Sequence, residues 1–387
     1  MNVVFISPNF PHNYYHFCAS LRKYGVTVLG IGEDDFYALR PELAHSLNWY
    51  YRVWDMHNLD EMRHACSFFT GKFGQINWMD SLNEYWLENE ALLRSEFQIP
   101  GVSSDQVCAM RRKSEMKKIF EQAGVAYAKG RVAYTVKEAL ELAEETGFPI
   151  VVKPDGGVGA AHTYRLNTRQ EVENFYANKP DMAFIAEEFV EGRMLTFDGL
   201  TDLAGNISFC ASLHYDRGVM EVVNGGTDLY YYTTRVIAKD VEDAGRRIVK
   251  AYGLKGRFFH LEFFRKPDGK LVAVEANIRP PGGMSLDLYN YSCDFDIYDL
   301  WARMVVGHEA SSFKYERKYF CCYISRKNGK HYRFSHEQVL ERWGSMMPFH
   351  GKLPELFRPV MGDYSYVVRS VNERDVLEAA AFIQRYV

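Results

Sequence analysis

Short apolar runs separated by stretches of helical period recur through the first third of the chain. NVVFISP reads as a buried strand, His12 to Tyr24 as a helix, and VTVLGIG as a second strand. QINWM and SLNEYWLENEALLRSEF repeat that order. Strands alternating with helices predict a parallel sheet covered on both faces. The first strand-to-helix turn, SPNFPHNYY, holds no glycine, so the phosphate-cradling GxGxxG of dinucleotide binders is missing. The pattern predicts a Rossmann-like layer that does not take NAD.

IPGVSS marks the first boundary, with Ser103 or Ser104 able to cap the next helix. RRKSEMKKIFEQAGV then reads as a helix stopped by Gly124, RVAYT as a strand, and the following helix as capped by Thr135 and stopped by Gly147 before strand PIVVKP. Strand patterns dominate from Phe184 to Arg235, and a helix near Val241 to Gly253 leads into a hairpin. KYFCCYI, YSYVVRS and ERDVLEAAAFIQRYV close the chain as strand, strand and helix. The expected domains are 1–102, a mixed α+β core over 103–310 (subdomains 113–186 and 187–310), and a small α/β unit over 311–387.

Composition narrows the function. With 47% hydrophobic and 25% charged residues among 387, every part is expected to fold. A net charge of −4 with scattered Lys and Arg gives no broad field for a nucleic-acid backbone. The start, MNVVFISPNF, lacks the pattern of a signal peptide and no apolar stretch is long enough to span a bilayer, so a cytoplasmic protein is expected. The seven cysteines include no CxxC pair, and most read as buried thiols. Adjacent Cys321 and Cys322 should point to opposite faces of their strand.

The strongest chemistry lies in GRFFHLEFFRKPDGKLVAVEANIRPPGG. Asp-Gly between apolar runs predicts a hairpin. If Lys266 faces Leu271, Glu262 lies opposite Glu275. Like charges roughly 5 Å apart are unfavourable unless something neutralises them. Alternation puts Glu275, Asn277 and Arg279 on one face, with Glu262 and His260 across from them. Two carboxylates and an amide oxygen suit Mg²⁺, and Arg279 suits a phosphoryl group. A polar surface edge is the bland alternative, and a hydrogen-bonded core role is the better reading of His260.

KPDGGVGAAHTYRL follows strand PIVV. Lys153 ends the strand, and Gly156, Gly157 and Gly159 allow backbone N–H groups to close over phosphate oxygens. No GK[ST] ending is present, so this is not a Walker A loop, and a glycine turn competes equally. Lys113 alone reads as a solvated helix-start charge, and in AEEFVEG the strand end at Glu187 and Glu188 could offer backbone groups to an adenine edge.

Taken in order, these pieces resemble the ATP-grasp superfamily of ligases over almost the whole chain. The resemblance implies a Rossmann-like N-terminal domain, a two-part core that grips ATP, and a small C-terminal element. It implies that Lys113 and Lys153 contact phosphates, that the loop Gly156, Gly157 and Gly159 is a lid, and that Glu187, Glu188, Phe189 and Val190 form the adenine hinge. Glu262, Glu275 and Asn277 match the metal-binding trio, with Mg²⁺ expected and Mn²⁺ as a substitute, and Arg279 follows. Met194 stands where many relatives carry an acidic ribose ligand, for which Glu191 is the stand-in.

Within the superfamily the hairpin looks most like the carboxylate-amine ligase group that also holds carbamoyl-phosphate-synthase-like members. The implied activity is ATP-dependent activation of a small carboxylate, amino acids included, as an acyl phosphate that an amine attacks. Lys153, Asn277 and Arg279 would carry the chemistry, and Arg235, His260, Gly282 and Gly283 would shape the acceptor side. Carboxylation or carbamoyl transfer at the same site, and a nucleotide-binding regulator without turnover, are the alternatives. A homodimer is expected, with neither nucleic acid nor membrane as partner.

Overall fold

The computed structural model describes residues 1–157, 162–216, 226–308 and 313–387. Strands β1 (Asn2–Ile6), β2 (Thr27–Gly32), β3 (Trp49–Arg52) and β4 (Trp78–Asp80) form a parallel sheet in the order β3-β2-β1-β4. Val3, Phe5 and Val28 face helices Tyr15–Lys23 and Ile297–Val305, while Val4, Ile6 and Leu29 face helix Leu59–Phe73. That two-sided burial is why these strands read as continuous apolar runs. The helix expected across SLNEYWLENEALLRSEF starts only at Leu87. Leu82 takes a left-handed φ of 52°, and the Asn83 side chain caps a 3₁₀ turn over Glu84–Trp86.

A second sheet holds β5 (Gly130–Val132), β6 (Ile150–Pro154), β7 (Tyr164–Leu166) and β8 (Phe184–Glu188) in the antiparallel order β5-β8-β6-β7. Helices Val136–Thr146 and Arg169–Asn178 cover it through Leu140, Ala143 and Val172. Thr135 and Glu138 form a capping box at the first of these, and Gly147 ends it.

The third sheet joins β9 (Arg193–Thr201), β10 (Ile207–Ala211), β11 (Leu213–Tyr215), β12 (Tyr230–Thr233), β13 (Phe258–Arg265), β14 (Leu271–Asn277), β15 (Phe320–Arg326), β16 (Phe349–Lys352) and β17 (Tyr364–Ser370). Its path runs β14-β13-β9-β11-β12-β15-β17-β16, with β10 beside β9. Strand pairing therefore crosses the boundary expected near 311: Thr233 pairs with Cys321, so the C-terminal strands extend the core sheet. As alternation requires, Cys321 enters the core shared with the first layer, and Cys322 enters a second core with Val339, Val376 and Ile383.

Two further boundaries move. The helix Lys113–Gln122, expected in the small lid subdomain, packs Met116 and Phe120 against Phe197, Val241 and Ala273 of the large sheet and its covering helix Lys239–Tyr252. The division expected at 187 falls inside β8, and the connection between the two sheets is 189–192. A Cβ on Gly192 would lie 2.6 Å from Arg265 O, so this connection is pressed onto the end of β13. Among the described residues no helix is long and apolar enough to cross a membrane.

Candidate active site

β13 and β14 pair so that Glu262 faces Glu275 and His260 faces Asn277. The turn differs from the expected one. Arg265, not Lys266, faces Leu271, because the loop is 267–269, closed by Lys266 N–H donating to Lys270 O at 2.9 Å. Val274 is the extra residue of a bulge between Ala273 and Glu275, and it restores the register before the glutamates. β9 adds Thr196 opposite Glu262 and Asp198 opposite His260.

This face is dense in paired charge. Asp198, fully buried, accepts from Tyr289 OH and from His260 Nδ1, each at 2.6 Å, while His260 Nε2 lies 3.1 Å from Glu262 Oε1. Burial alone would lower the imidazole's pKa, but Asp198 and Glu262 outweigh it and push it up to about 9. His260 thus has a hydrogen-bonded core role, braced between strands β9 and β13.

The lysines converge from elsewhere. Lys113 Nζ lies 3.3 Å from Glu275 Oε1 and donates to Gly157 O at 3.3 Å. Ser114 N–H and Oγ hold the Asp155 carboxylate at 2.8 and 2.9 Å, which anchors the glycine loop to the start of this helix. Lys153 Nζ lies 2.8 Å from Glu187 Oε2, and Lys117 Nζ lies 2.7 Å from Glu187 Oε1. Burial favours the neutral acid, yet the two ammoniums prevail and hold the Glu187 carboxyl down to about 2. Lys153 is pushed up to about 12, burial being outweighed by Glu187 and Glu275. For Glu275 too, Lys113 and Lys153 reverse the effect of burial and lower the pKa.

Lys117 was invisible in the sequence as a site residue. Its spacing of four from Lys113 on one helix face was the available signal. Glu187 acts here through its side chain, holding two lysines in place. At the hinge, Glu188 N–H donates to Lys129 O at 2.8 Å, Arg165 lies over the Phe189 ring at 4.3 Å, and Glu191 is exposed. Val190 is half-buried between them. Met194 shares the face of Thr196 and Asp198 and is buried beside Phe264. Gly156 forms a bridge with Arg112, and Gly159 lies outside the described residues.

Glu84 is the second residue that sequence reasoning missed. In the sequence it looks like one more charge in an amphipathic helix. The 3₁₀ turn instead aims it inward, with 1% exposure, to 3.5 Å from Arg279 Nε, and among the described residues neither carboxylate oxygen has a hydrogen-bond partner. Burial raises its pKa to about 7, Arg279 opposing the rise and Glu275 adding to it. A buried ionic cluster brackets this turn. Arg257, just before β13, donates to Asp80 Oδ1 at 3.0 Å and Glu90 Oε1 at 3.1 Å, and Arg94 lies 2.9 Å from Glu90. The N-terminal sheet is thereby fixed against the hairpin, with Glu84 facing Arg279.

The remaining acceptor-side candidates divide. Gly283, at φ 64°, lies beneath Met361 and Tyr231, where a Cβ would sit 2.5 Å from Met361 Cε, and the Gly282 carbonyl accepts from Ser285 Oγ at 2.8 Å. Arg235 is not brought to the site. It donates to Arg317 O and Val371 O at 3.3 and 3.1 Å and lines a separate surface cleft with Tyr315 and Phe320. The tyrosine run beside it packs as core, Tyr231 stacking between Tyr215 and Tyr323 at 5.0 Å on each side.

The donor set fits a hard divalent cation. Glu262, Glu275 and Asn277 offer three oxygen-bearing side chains from facing strands, and Lys113 and His260 already balance the two carboxylates from the flanks.

Residues 146–287 match a family model described as an ATP-grasp domain, a span that contains Lys153, the hinge and the whole hairpin. The carbamoyl phosphate synthase large chain of Thermoanaerobacter pseudethanolicus is 24% identical over 200 residues, covering 49% of this chain and 18% of its own length. The chain thus spans about a fifth of the length of the curated relatives it matches. Among solved structures, an L-amino acid ligase from Bacillus licheniformis superimposes with a TM-score of 0.75 at 15% identity, covering 98% of this chain and 95% of that one. The biotin carboxylase domain of the Hydrogenobacter thermophilus 2-oxoglutarate carboxylase, in complex with MgADP and bicarbonate, gives 0.71 at 15% identity, covering 97% and 88%. Residues 146–287 thus match the ATP-grasp domain in sequence, and nearly the whole chain shares the fold of these solved structures.

Proposed function

We propose that this protein is an ATP-dependent ligase that activates a small carboxylate as an acyl phosphate and joins it to an amine. The observation that carries this reading is the convergence of Lys113, Lys153, Glu275 and Arg279 around one hairpin face. Lys113 and Lys153 are buried cations that reach this face from separate elements, placed to draw charge off a transferring phosphoryl group. Their carboxylate partners hold them in position, so little reorganisation is needed when phosphate arrives. Glu262, Glu275 and Asn277 would hold Mg²⁺, or Mn²⁺ with the same oxygen preference, which when bound neutralises phosphate oxygens. The hinge at 187–190 would meet the adenine, and Glu191 the ribose.

Arg279 and Glu84 support an amino acid among the carboxylates. A guanidinium and a buried carboxylate without a hydrogen bond, 3.5 Å apart, complement a carboxylate and an ammonium on one small molecule. Gly283 keeps the backbone close beneath Met361 on the acceptor side. A cytoplasmic homodimer remains the expected setting.

The test is ADP release with MgATP across a panel of amino acids and other small carboxylates, each with and without candidate amines, alongside Glu275→Ala. Acid-dependent release that the substitution abolishes supports the ligase. Release that depends on bicarbonate alone would point to carboxylation or carbamoyl transfer, and MgATP binding without turnover on any acid would point to a regulator.

A further inference from the structure

The C-terminal strands carry a second charged cavity, of about 340 Å³, lined by Arg326, Lys327, Lys330, Tyr332, His336 and Tyr366 among others. It lies on the opposite side of the large sheet from the hairpin site. Arg326 ends β15 on the face of Cys322 and Ile324, which packs under helices His336–Trp343 and Glu373–Ile383, whereas Tyr323 faces the core shared with Met194 and Tyr289.

Arg326 is unusual for a buried cation. It is 8% exposed, its Nε donates to Ile383 O at 2.7 Å, and its Nη2 has no hydrogen-bond partner among the described residues. No carboxylate lies within 4.0 Å of it among the described residues. The rings of Tyr332 and Tyr366 lie 4.4 and 5.7 Å from its guanidinium carbon. Two aromatic faces are a weaker partner for a desolvated guanidinium than the anion it lacks.

The nearby acids are already engaged. Asp228 accepts from Lys327 N–H at 3.1 Å and from Tyr332 OH at 2.9 Å, with Lys330 Nζ 3.7 Å away. Asp363 accepts from Asn328 N–H at 2.8 Å and lies 3.9 Å from Arg358. Lys327 Nζ donates to a carbonyl, Pro359 O, at 3.0 Å, and Lys330 Nζ to Tyr386 OH at 2.9 Å. His336, the first residue of an eight-residue helix, lines the same cavity.

We propose that this cavity binds a small phosphate-bearing molecule, its phosphoryl oxygens on Arg326 with Lys327 and Lys330 beside them. A guanidinium with a free Nη and two ammoniums beside it match a dianionic tetrahedral group better than a single carboxylate. The volume admits more than a bare phosphate ion.

The experiment is isothermal titration of the full chain with inorganic phosphate and, separately, with ribose 5-phosphate. Mg²⁺ and a non-hydrolysable ATP analogue are kept saturating, so that phosphate subsites at the hairpin are filled. One further binding event is expected, weakened at least tenfold in Arg326→Gln and several-fold in Lys327→Ala, and retained in Glu275→Ala. Tighter binding of ribose 5-phosphate identifies a phosphomonoester as ligand, and equal affinity identifies free phosphate. Absence of binding by both probes, or binding that neither cavity variant changes, would overturn the proposal. Should Arg326→Gln fail to fold, Lys327→Ala combined with Lys330→Ala decides the matter.

Discussion

Replacing Glu84 by Gln isolates the cost of burying one carboxylate in the site. In the folded protein its pKa is about 7 against an ordinary 4.5, burial being the main cause. Between those values the folded state binds a proton that the unfolded state has released. Stability therefore falls as pH rises from 4.5 through 7, and the favourable contribution belongs to the low-pH side. At 1.36 kcal/mol per pKa unit, ionising this group in place costs about 3 kcal/mol above pH 7. The amide has the same shape and no charge to desolvate, so the variant escapes that cost. Thermal unfolding midpoints of both proteins across pH 5 to 8 are the assay, and the difference between the two curves cancels the other titrating groups. The variant should gain on the parent by about 3 kcal/mol over that range, on the order of 5 °C in midpoint, while losing activity on amino acids. Parallel curves would show that Glu84 ionises freely, and the argument from its burial would be wrong.

Glu275→Ala removes a proposed metal ligand and the partner of Lys113, and should lower MgATP-dependent turnover at least a hundredfold in the ADP-release assay, with the fold kept by circular dichroism. Lys117→Met leaves Glu187 with one ammonium in place of two; breaking this buried pair should cost about 3–5 kcal/mol in denaturant unfolding and raise KM for ATP. Gly245→Ala sets two effects against each other. Helix propensity gains about 1 kcal/mol, but the new Cβ would sit 2.1 Å from Phe197, so a net loss of about 1–2 kcal/mol is expected, and an increase in stability would contradict the tight helix-on-sheet contact.

Where period and turn chemistry are local, the sequence by itself was decisive. The apolar strands of the first layer, the Thr135 capping box, the stop at Gly253 and the opposed faces of Cys321 and Cys322 follow from residues a few positions apart. The Glu262–Glu275 pair followed as well, although the assumed turn missed both the 267–269 loop and the compensating bulge at Val274. Turn and bulge each shift register by one residue, so their effects cancel exactly where the carboxylates meet.

Tertiary structure decided what depends on distant partners. Helix Lys113–Gln122 joins the large sheet because Met116 and Phe120 find Phe197 and Ala273 there, and this carries Lys113 and Lys117 to their carboxylates. Arg235 leaves the site because the C-terminal strands extend the same sheet and offer it backbone carbonyls. Glu84 turns inward because Asn83 caps a 3₁₀ turn between Asp80 and Glu90, both held by Arg257. For Glu84 and Arg235 spacing along the chain carries no signal, since the group that each one answers lies on another element, brought near only when the cores pack.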